Sequence, residues 1–337
     1  MPTIAFLFPG QGSQSVGMGR ELYDRFPSAR ATFDEADAAL GFPLSQIIFE
    51  GPEETLRLTE HTQPAILTVS IAAARVLAEH GIAPALAAGH SLGEYSAHVA
   101  AGTVTFADAV RAVRLRGRYM QQAVPQGEGA MAAILSLDPT LIQIICDQVS
   151  DQLTPLPMTP EAVGFNHHLA VVAPANLNSP SQTVISGAAA AVERAAAFCK
   201  DAGAKRTVML PVSAPFHCSL MRPAQDSLAN DLVALTFHDP AFPVAANESA
   251  TLVTTGDAAR HALIAQVTAA VRWVECMQLL VAPPSPLQPA THFIEVGPGR
   301  VLTGLVRQIF GKDSALPALN VEDPASLEKT LAALPPA

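Results

Sequence analysis

Residues 84–97 read PALAAGHSLGEYSA, and local patterning divides this stretch into a strand, a turn and a helix. The weakly apolar run 84–89 ends at Gly89. Gly89-His90-Ser91-Leu92-Gly93 is a G-x-S-x-G, and from Glu94 to about Ala101 the spacing becomes helical. In a strand-turn-helix context this pattern makes a sharp turn that lifts the serine hydroxyl above a sheet, and the two glycines remove side chains that would collide there. A helix beginning just after Ser91 points free N–H groups and a positive dipole end at any oxyanion formed on it. Taken alone, the pentapeptide fits a nucleophile or a plain strand–helix turn equally well.

The same alternation extends outward in both directions. Residues 63–80 read as an Ala-, Ile-, Leu- and Val-rich helix. Residues 3–8 (TIAFLF) read as a buried strand closed by the tight loop Pro9-Gly10-Gln11-Gly12, whose backbone N–H groups can approach a ligand. Between about 126 and 207 the rhythm changes. Strands are expected at 130–137, 168–174, 182–186 and 205–210, and helices at 138–152 and 188–202, which is the β-α-β-β-α-β order of a ferredoxin-like unit. A stretch at 151–168 with Pro155, Pro157 and Pro160 swells its first loop as a surface excursion. Beyond 211 the first pattern resumes, with helices expected at 219–235 and 257–281, a Pro-rich linker at 282–290 and a strand at 291–296 that ends at Gly297-Pro298-Gly299. The expected architecture is α/β, with a large domain built from 1–126 and 208–337 and a small α+β subdomain inserted at 127–207.

Composition narrows the function classes. Of 337 residues, 49% are hydrophobic and 15% charged, and the 21 Gly and 28 Pro follow no repeat, so the chain is globular. Its net charge of −10 is the wrong sign for a phosphate-backbone binder, which argues against a nucleic-acid partner. Cys146, Cys199, Cys218 and Cys276 form no C-x-x-C pair, so neither a zinc site nor a disulfide framework is expected. No basic leader opens the sequence and no run approaches the ~18 apolar residues of a membrane span. The expectation is a soluble cytoplasmic protein with reduced thiols and no membrane partner.

A serine hydroxyl needs a base, usually histidine. His61, His80, His238 and His261 lie in polar or helical surface contexts and read as solvated. His167-His168 has no partner at metal-binding spacing, and His90 points away from its neighbour on a tight turn. His217 differs, because it follows an apolar strand and the loop Ser213-Ala214-Pro215-Phe216, at a strand end where α/β folds keep catalytic groups. Among the arginines of 111–118, helical projection places Arg111, Arg114 and Arg118 on one side. Arg116 falls opposite, among Ala109, Ala112, Val113, Tyr119 and Met120. A guanidinium on an apolar face needs a partner, either an internal carboxylate or the carboxylate of a substrate held by its fork. The exposed basic side, with Lys200, Lys205 and Arg206, is either a solvated face or a landing place for an acidic partner.

Together these segments resemble the malonyl-CoA:acyl carrier protein transacylase family, which includes the acyltransferases of polyketide synthesis. The resemblance rests on FPGQGSQ at 8–14, TQPAI at 62–66, GHSLGEYSA at 89–97, RGRYMQ at 116–121, GAMAAI at 129–134, NLNSPSQTVISG at 176–187, LPVSAPFHCSLM at 210–221, QVTAAVRW at 266–273 and EVGPGRVL at 295–302. It implies an α/β-hydrolase-like large domain with a parallel sheet, carrying the ferredoxin-like insert. It also implies Ser91 as the acylated nucleophile, His217 as its base, a main-chain carbonyl near Gln266 orienting the imidazole, and the N–H groups of Gln11 and Leu92 as the oxyanion hole. Arg116 would grip the malonyl carboxylate, Phe216 would leave little room for a methyl branch, and Met120 and Asn176 would line the substrate site, with Asn178 close by. The implied partners are malonyl-CoA as substrate and an acyl carrier protein, with no cofactor or metal, in a ping-pong reaction of fatty-acid synthesis, polyketide synthesis or a malonate-decarboxylating complex. The 151–168 excursion is longer than is usual in the family. The same Ser/His pair would also serve an acyl-thioester hydrolase, against which Arg116 argues, while a non-catalytic carrier-docking protein would have no use for Ser91 and His217.

Overall fold

The computed structural model describes residues 2–153, 170–212, 214–311 and 313–335. From residue 154 onward, the Pro-rich stretch expected at 151–168 lies outside the described residues, as do His167 and His168. In chain order the elements are β1 (Ile4–Phe8), α1 (Arg20–Arg25), α2 (Pro27–Leu40), α3 (Leu44–Glu50), α4 (Glu53–Leu56), α5 (Thr59–Glu79), β2 (Leu86–Gly89), α6 (Leu92–Ala100), α7 (Phe106–Gln122), β3 (Gly129–Leu135), α8 (Pro139–Leu153), β4 (Val172–Ser179), β5 (Gln182–Ala188), α9 (Ala189–Asp201), β6 (Arg206–Met209), α10 (Arg222–Val233), β7 (Val244–Ala245), β8 (Leu252–Val253), α11 (Gly256–Ala265), α12 (Trp273–Val281), β9 (His292–Val296), α13 (Val301–Phe310), β10 (Ala318–Val321) and α14 (Pro324–Ala333). They divide into two compact units, one of Met1–Arg118, Leu228–Ile264 and Glu275–Ala337, the other of Tyr119–Ser227 and Ala265–Val274.

The first unit is built on a sheet of order β10-β9-β1-β2-β7-β8, parallel except where β8 returns antiparallel to β7. β1 is buried at all five positions and β2 at all four, as strands covered on both faces must be, and this explains why IAFLF shows no alternation. Gly89 faces Phe8 in register at the carboxyl ends of β2 and β1. Here the glycines are obligatory. A Cβ on Gly89 would lie 1.8 Å from the carbonyl carbon of Gly93, and one on Gly93 would lie 2.0 Å from the carbonyl oxygen of Phe8. Gly93→Ala is therefore expected to destabilise the protein by roughly 3 kcal/mol, since backbone must move to admit the methyl group. Gly304 on α13 has open space around it, and Gly304→Ala should instead gain up to about 1 kcal/mol. Thermal melts of the two variants check this contrast. A Gly93→Ala protein that melts with the parent would contradict the close approach.

The second unit carries an antiparallel sheet of order β4-β5-β3-β6, with α8 linking β3 to β4 and α9 linking β5 to β6. Its strands keep the expected sequence, with shifted ends. β4 runs over Val172–Ser179, where a strand is expected at 168–174, of which 168 and 169 lie outside the described residues, and it carries irregular register between Pro174 and Asn176 and between Leu177 and Ser179. The unit also takes in more chain than the 127–207 read from the sequence.

One expectation fails clearly. The helix foreseen at 257–281 is two helices, α11 and α12, separated by residues 266–272. Within that gap Val271 bridges to Asn176 in parallel fashion. Its N–H donates to the carbonyl of Ala175 at 2.8 Å, and its carbonyl accepts from the N–H of Leu177 at 2.9 Å. The edge of β4 thus offers these residues hydrogen bonds that replace helical ones, and the β-branched Val267, Thr268 and Val271 lose little by leaving the helix. The expected helix at 219–235 likewise opens with a 3-10 turn at Ser219–Met221 before α10 begins.

Candidate active site

Ser91 occupies the turn between β2 and α6 with φ 52° and ψ −107°, a conformation that L-residues seldom adopt and that costs about 1–3 kcal/mol. Such a turn persists only where its surroundings hold it. The N–H of His90 donates to the carbonyl of Phe8 at 2.9 Å, and a Cβ on Gly10 would come within 2.4 Å of the His90 carbonyl oxygen, so the loop after β1 runs against the serine turn. Gln11, the next residue of that loop, is exposed. Leu92 is the first residue of α6, where N–H groups have no intrahelical acceptor.

Arg116, on α7, is 1% exposed, on the apolar side that helical projection gave it, whereas Arg111 and Arg118 are exposed. Gly117 lets α7 approach the start of α5, since a Cβ there would be 2.5 Å from the Thr59 carbonyl oxygen. The guanidinium donates from Nη1 to Oε1 of Gln63 at 2.9 Å and from Nη2 to Oγ of Ser91 at 3.1 Å. Its carbon also lies 5.7 Å from the centre of the Tyr95 ring. Burial pushes the Arg116 pKa down from its ordinary value, while Tyr95 and Glu94 oppose that shift. A fixed cation is thus placed beside a strained serine hydroxyl.

Two other polar residues complete this cluster without a motif of their own. Gln63 falls inside TQPAI, where nothing but burial on α5 marks it out. Asn247 follows β7, the sheet neighbour of β2, and reaches the serine turn through side chain and backbone. Its only sequence signal is an asparagine directly after an apolar run. His98, on α6, is a buried histidine of a different kind. Burial lowers its pKa to about 3, and its Nδ1 faces the Thr103 hydroxyl at 3.3 Å, so it stays neutral in a structural role.

In the second unit, His217 is 4% exposed and stands at φ 61° in the loop between β6 and α10. Its Nδ1 lies 3.0 Å from the carbonyl oxygen of Gln266 and 3.1 Å from that of Ala269. Carbonyls only accept, so Nδ1 carries a proton, and in the neutral imidazole Nε2 is then the accepting nitrogen that a general base needs. The break between α11 and α12 supplies both carbonyls. The Ala269 carbonyl was not foreseen, because a helix continuing through 257–281 would have committed it to the helix itself. Phe216 is buried beside His217, Met120 is buried on α7, and Asn176 is partly buried on β4. Ser91, Leu92, Gln11 and Arg116 therefore belong to the first unit, and His217, Gln266, Phe216, Met120 and Asn176 to the second. Among the described residues, no cluster of three or more His, Cys, Asp or Glu side chains could hold a metal ion, and no helix is long and apolar enough to cross a membrane.

Residues 5–158 match the model of the acyl transferase domain family. The malonyl CoA-acyl carrier protein transacylase of Escherichia coli O157:H7 is 46% identical over 98% of this chain and 99% of its own length. The chain belongs to the malonyl-CoA:acyl carrier protein transacylases. It is an acyltransferase of this family. The transacylase of Bacillus subtilis strain 168 is also 46% identical, over 99% of this chain and 98% of the relative. Among solved structures, an acyl carrier protein S-malonyltransferase from Vibrio cholerae superposes with a TM-score of 0.87 at 43% identity, covering 97% of this chain and 99% of the other. A malonyl-transacylase solved in complex with a type II polyketide synthase acyl carrier protein gives a TM-score of 0.88 at 44% identity, covering 98% and 99%. The transacylase fold of this chain is accordingly the mixed α/β fold of those structures.

Proposed function

We propose that the chain transfers the malonyl group of malonyl-CoA to the phosphopantetheine thiol of an acyl carrier protein, in fatty-acid or polyketide synthesis, through an ester on Ser91. The observation that carries this reading is the buried Arg116 guanidinium 3.1 Å from the Ser91 hydroxyl, a placement suited to an acyl group with a free carboxylate at its far end. An acyl group without that carboxylate would bring the cation no charged partner of its own.

His217 Nε2 takes the Ser91 proton as Oγ attacks the thioester carbonyl. The negative charge that develops on the carbonyl oxygen is met by the N–H groups of Gln11 and Leu92. The C–S bond then breaks and the CoA thiolate leaves with the proton from His217. In the second half the carrier thiol gives its proton to His217, its sulfur attacks the serine ester, and Ser91 leaves with the proton restored. Gln266 and Ala269 hold the imidazole through their carbonyls, in place of the carboxylate of a Ser-His-Asp triad. Phe216 narrows the acyl site against branched malonyl groups, and Met120 and Asn176 line it. These residues suffice for acyl exchange between thiols, so the reading gives no role to a cofactor or metal. Cytoplasmic location fits the four cysteines, all buried free thiols.

The finer architecture belongs to the same reading. The parallel sheet with its serine turn supports an α/β-hydrolase-like catalytic domain. The order β4-β5-β3-β6 with two crossing helices supports a ferredoxin-like subdomain inserted at 127–207. Intact-protein mass spectrometry tests the function directly: protein mixed with malonyl-CoA should gain one malonyl group, on the peptide holding Ser91, and lose it to a holo carrier protein added next. Release of free malonate at the rate of carrier loading would mark a hydrolase instead.

A further inference from the structure

The strained serine turn has a buttress that its own sequence does not supply. Asn247 is fully buried and stands just beyond β7, next to β2 in the sheet. Its Oδ1 accepts from the Ser91 N–H at 2.7 Å, and its Nδ2 donates to the carbonyl of Gly89 at 2.8 Å. Its own N–H donates to Oε2 of Glu94, in the first turn of α6, at 2.9 Å. One side chain therefore ties the residue before the turn to the residue at its apex, while its backbone anchors to the helix that follows. An amide does this uniquely well, since it offers a donor and an acceptor on one rigid plane.

Two consequences follow for the chemistry. The φ of 52° at Ser91 is held from outside the turn, so the direction of Oγ depends on Asn247 as well as on the glycines. The Ser91 N–H is also already engaged, which leaves Leu92 as the α6 residue whose N–H can face an oxyanion. We propose that Asn247 is a positioning residue that fixes the angle at which Ser91 presents its hydroxyl for acylation. This inference rests on Ser91 being the nucleophile.

The isosteric variant Asn247→Asp gives the sharpest test. When ionised, its carboxylate accepts from the Ser91 N–H but faces the Gly89 carbonyl with a second acceptor, close to Glu94. When protonated, it donates to Gly89 and accepts from Ser91 as the amide does. The charged and titratable groups on the elements around it are Glu94, Tyr95 and His90 on the turn and α6, Arg116 on α7, which donates to the Ser91 hydroxyl, and Cys276 on α12, whose thiol donates to the Ala246 carbonyl. They are present in parent and variant alike, so the ratio isolates what the new carboxylate adds, its own titration together with its coupling to these neighbours.

The measurement is the rate of acyl-enzyme formation from malonyl-CoA and from acetyl-CoA, by rapid quench and intact mass, for the parent, Asn247→Asp, Asn247→Ala and Ser91→Ala across a pH series. Asn247→Ala should acylate roughly 10- to 100-fold more slowly with both acyl groups alike and with KM little changed, as expected for a misdirected nucleophile. The Asn247→Asp rate divided by the parent rate should rise as pH falls, while the same ratio for Asn247→Ala stays flat. A pH-independent Asn247→Asp ratio, or parent-like rates in both variants, overturns the positioning role. Acylation of Ser91→Ala would instead overturn the nucleophile assignment itself. If Asn247→Ala melts before the assay temperature, the Asn247→Asp ratio decides alone.

Discussion

Ser91→Ala should fail to form any malonyl-enzyme and should lower malonyl transfer to a carrier protein by roughly 10⁴- to 10⁶-fold, the scale on which hydrolytic nucleophiles act. The loss should fall on chemistry and spare the fold. Alanine keeps a Cβ, and so keeps the same backbone cost at φ 52°, while the Asn247 bond to the residue 91 N–H does not involve the hydroxyl. Melting temperatures of variant and parent should therefore agree within a few degrees. His217→Ala should lose transfer on a similar scale, but with some loss of stability, because the carbonyls of Gln266 and Ala269 lose the buried Nδ1–H they accept from. Residual transfer within tenfold of the parent in Ser91→Ala would end the assignment of Ser91 as the acylated nucleophile.

The second large effect is one of selectivity. Arg116→Ala should reduce malonyl transfer by roughly 2–5 kcal/mol of charge-paired binding, which is about 30- to 5,000-fold, and should reduce acetyl transfer far less. The asymmetry arises because only malonyl brings a carboxylate to the guanidinium, while both acyl groups use the same serine. Arg116→Lys keeps the charge but loses the fork that now reaches Gln63 and Ser91 together, and should fall between parent and alanine variant. Parallel kcat/KM measurements on malonyl-CoA and acetyl-CoA decide the matter. Equal losses for the two substrates would mean that Arg116 supports the fold or the Ser91 hydroxyl and not the acyl carboxylate.

Several parts of this site could be read before any coordinates. Gly89, Ser91 and Gly93 declare the turn because the steric demand is local: each glycine is required by atoms within a few residues or on the neighbouring strand. Arg116 declares itself because helical spacing alone sets it among apolar residues, and a buried guanidinium calls for a partner. His217 stands out as a histidine in a loop after an expected strand, although that strand, β6, is a half-exposed edge of the antiparallel sheet rather than part of the buried parallel one. Gln63 and Asn247 do not stand out, since an uncharged amide in an apolar context looks the same whether it bridges a strained turn or merely fills a core. The helix foreseen across 257–281 misleads for a related reason. Its periodicity is adequate, but the edge of β4 offers residues 266–272 other partners, and a hydrogen bond from Val271 to Ala175 cannot be inferred from spacing along the chain.

The amino-acid order by itself determined the alternation of strands and helices, the serine turn and the buried arginine, because these follow from constraints that act within one turn or one strand. The tertiary structure decided which carbonyls hold His217, which amide braces Ser91 and where a long helix breaks. Those contacts join residues 49 and 156 positions apart, and their partners are chosen by strand pairing and burial, which no local pattern encodes.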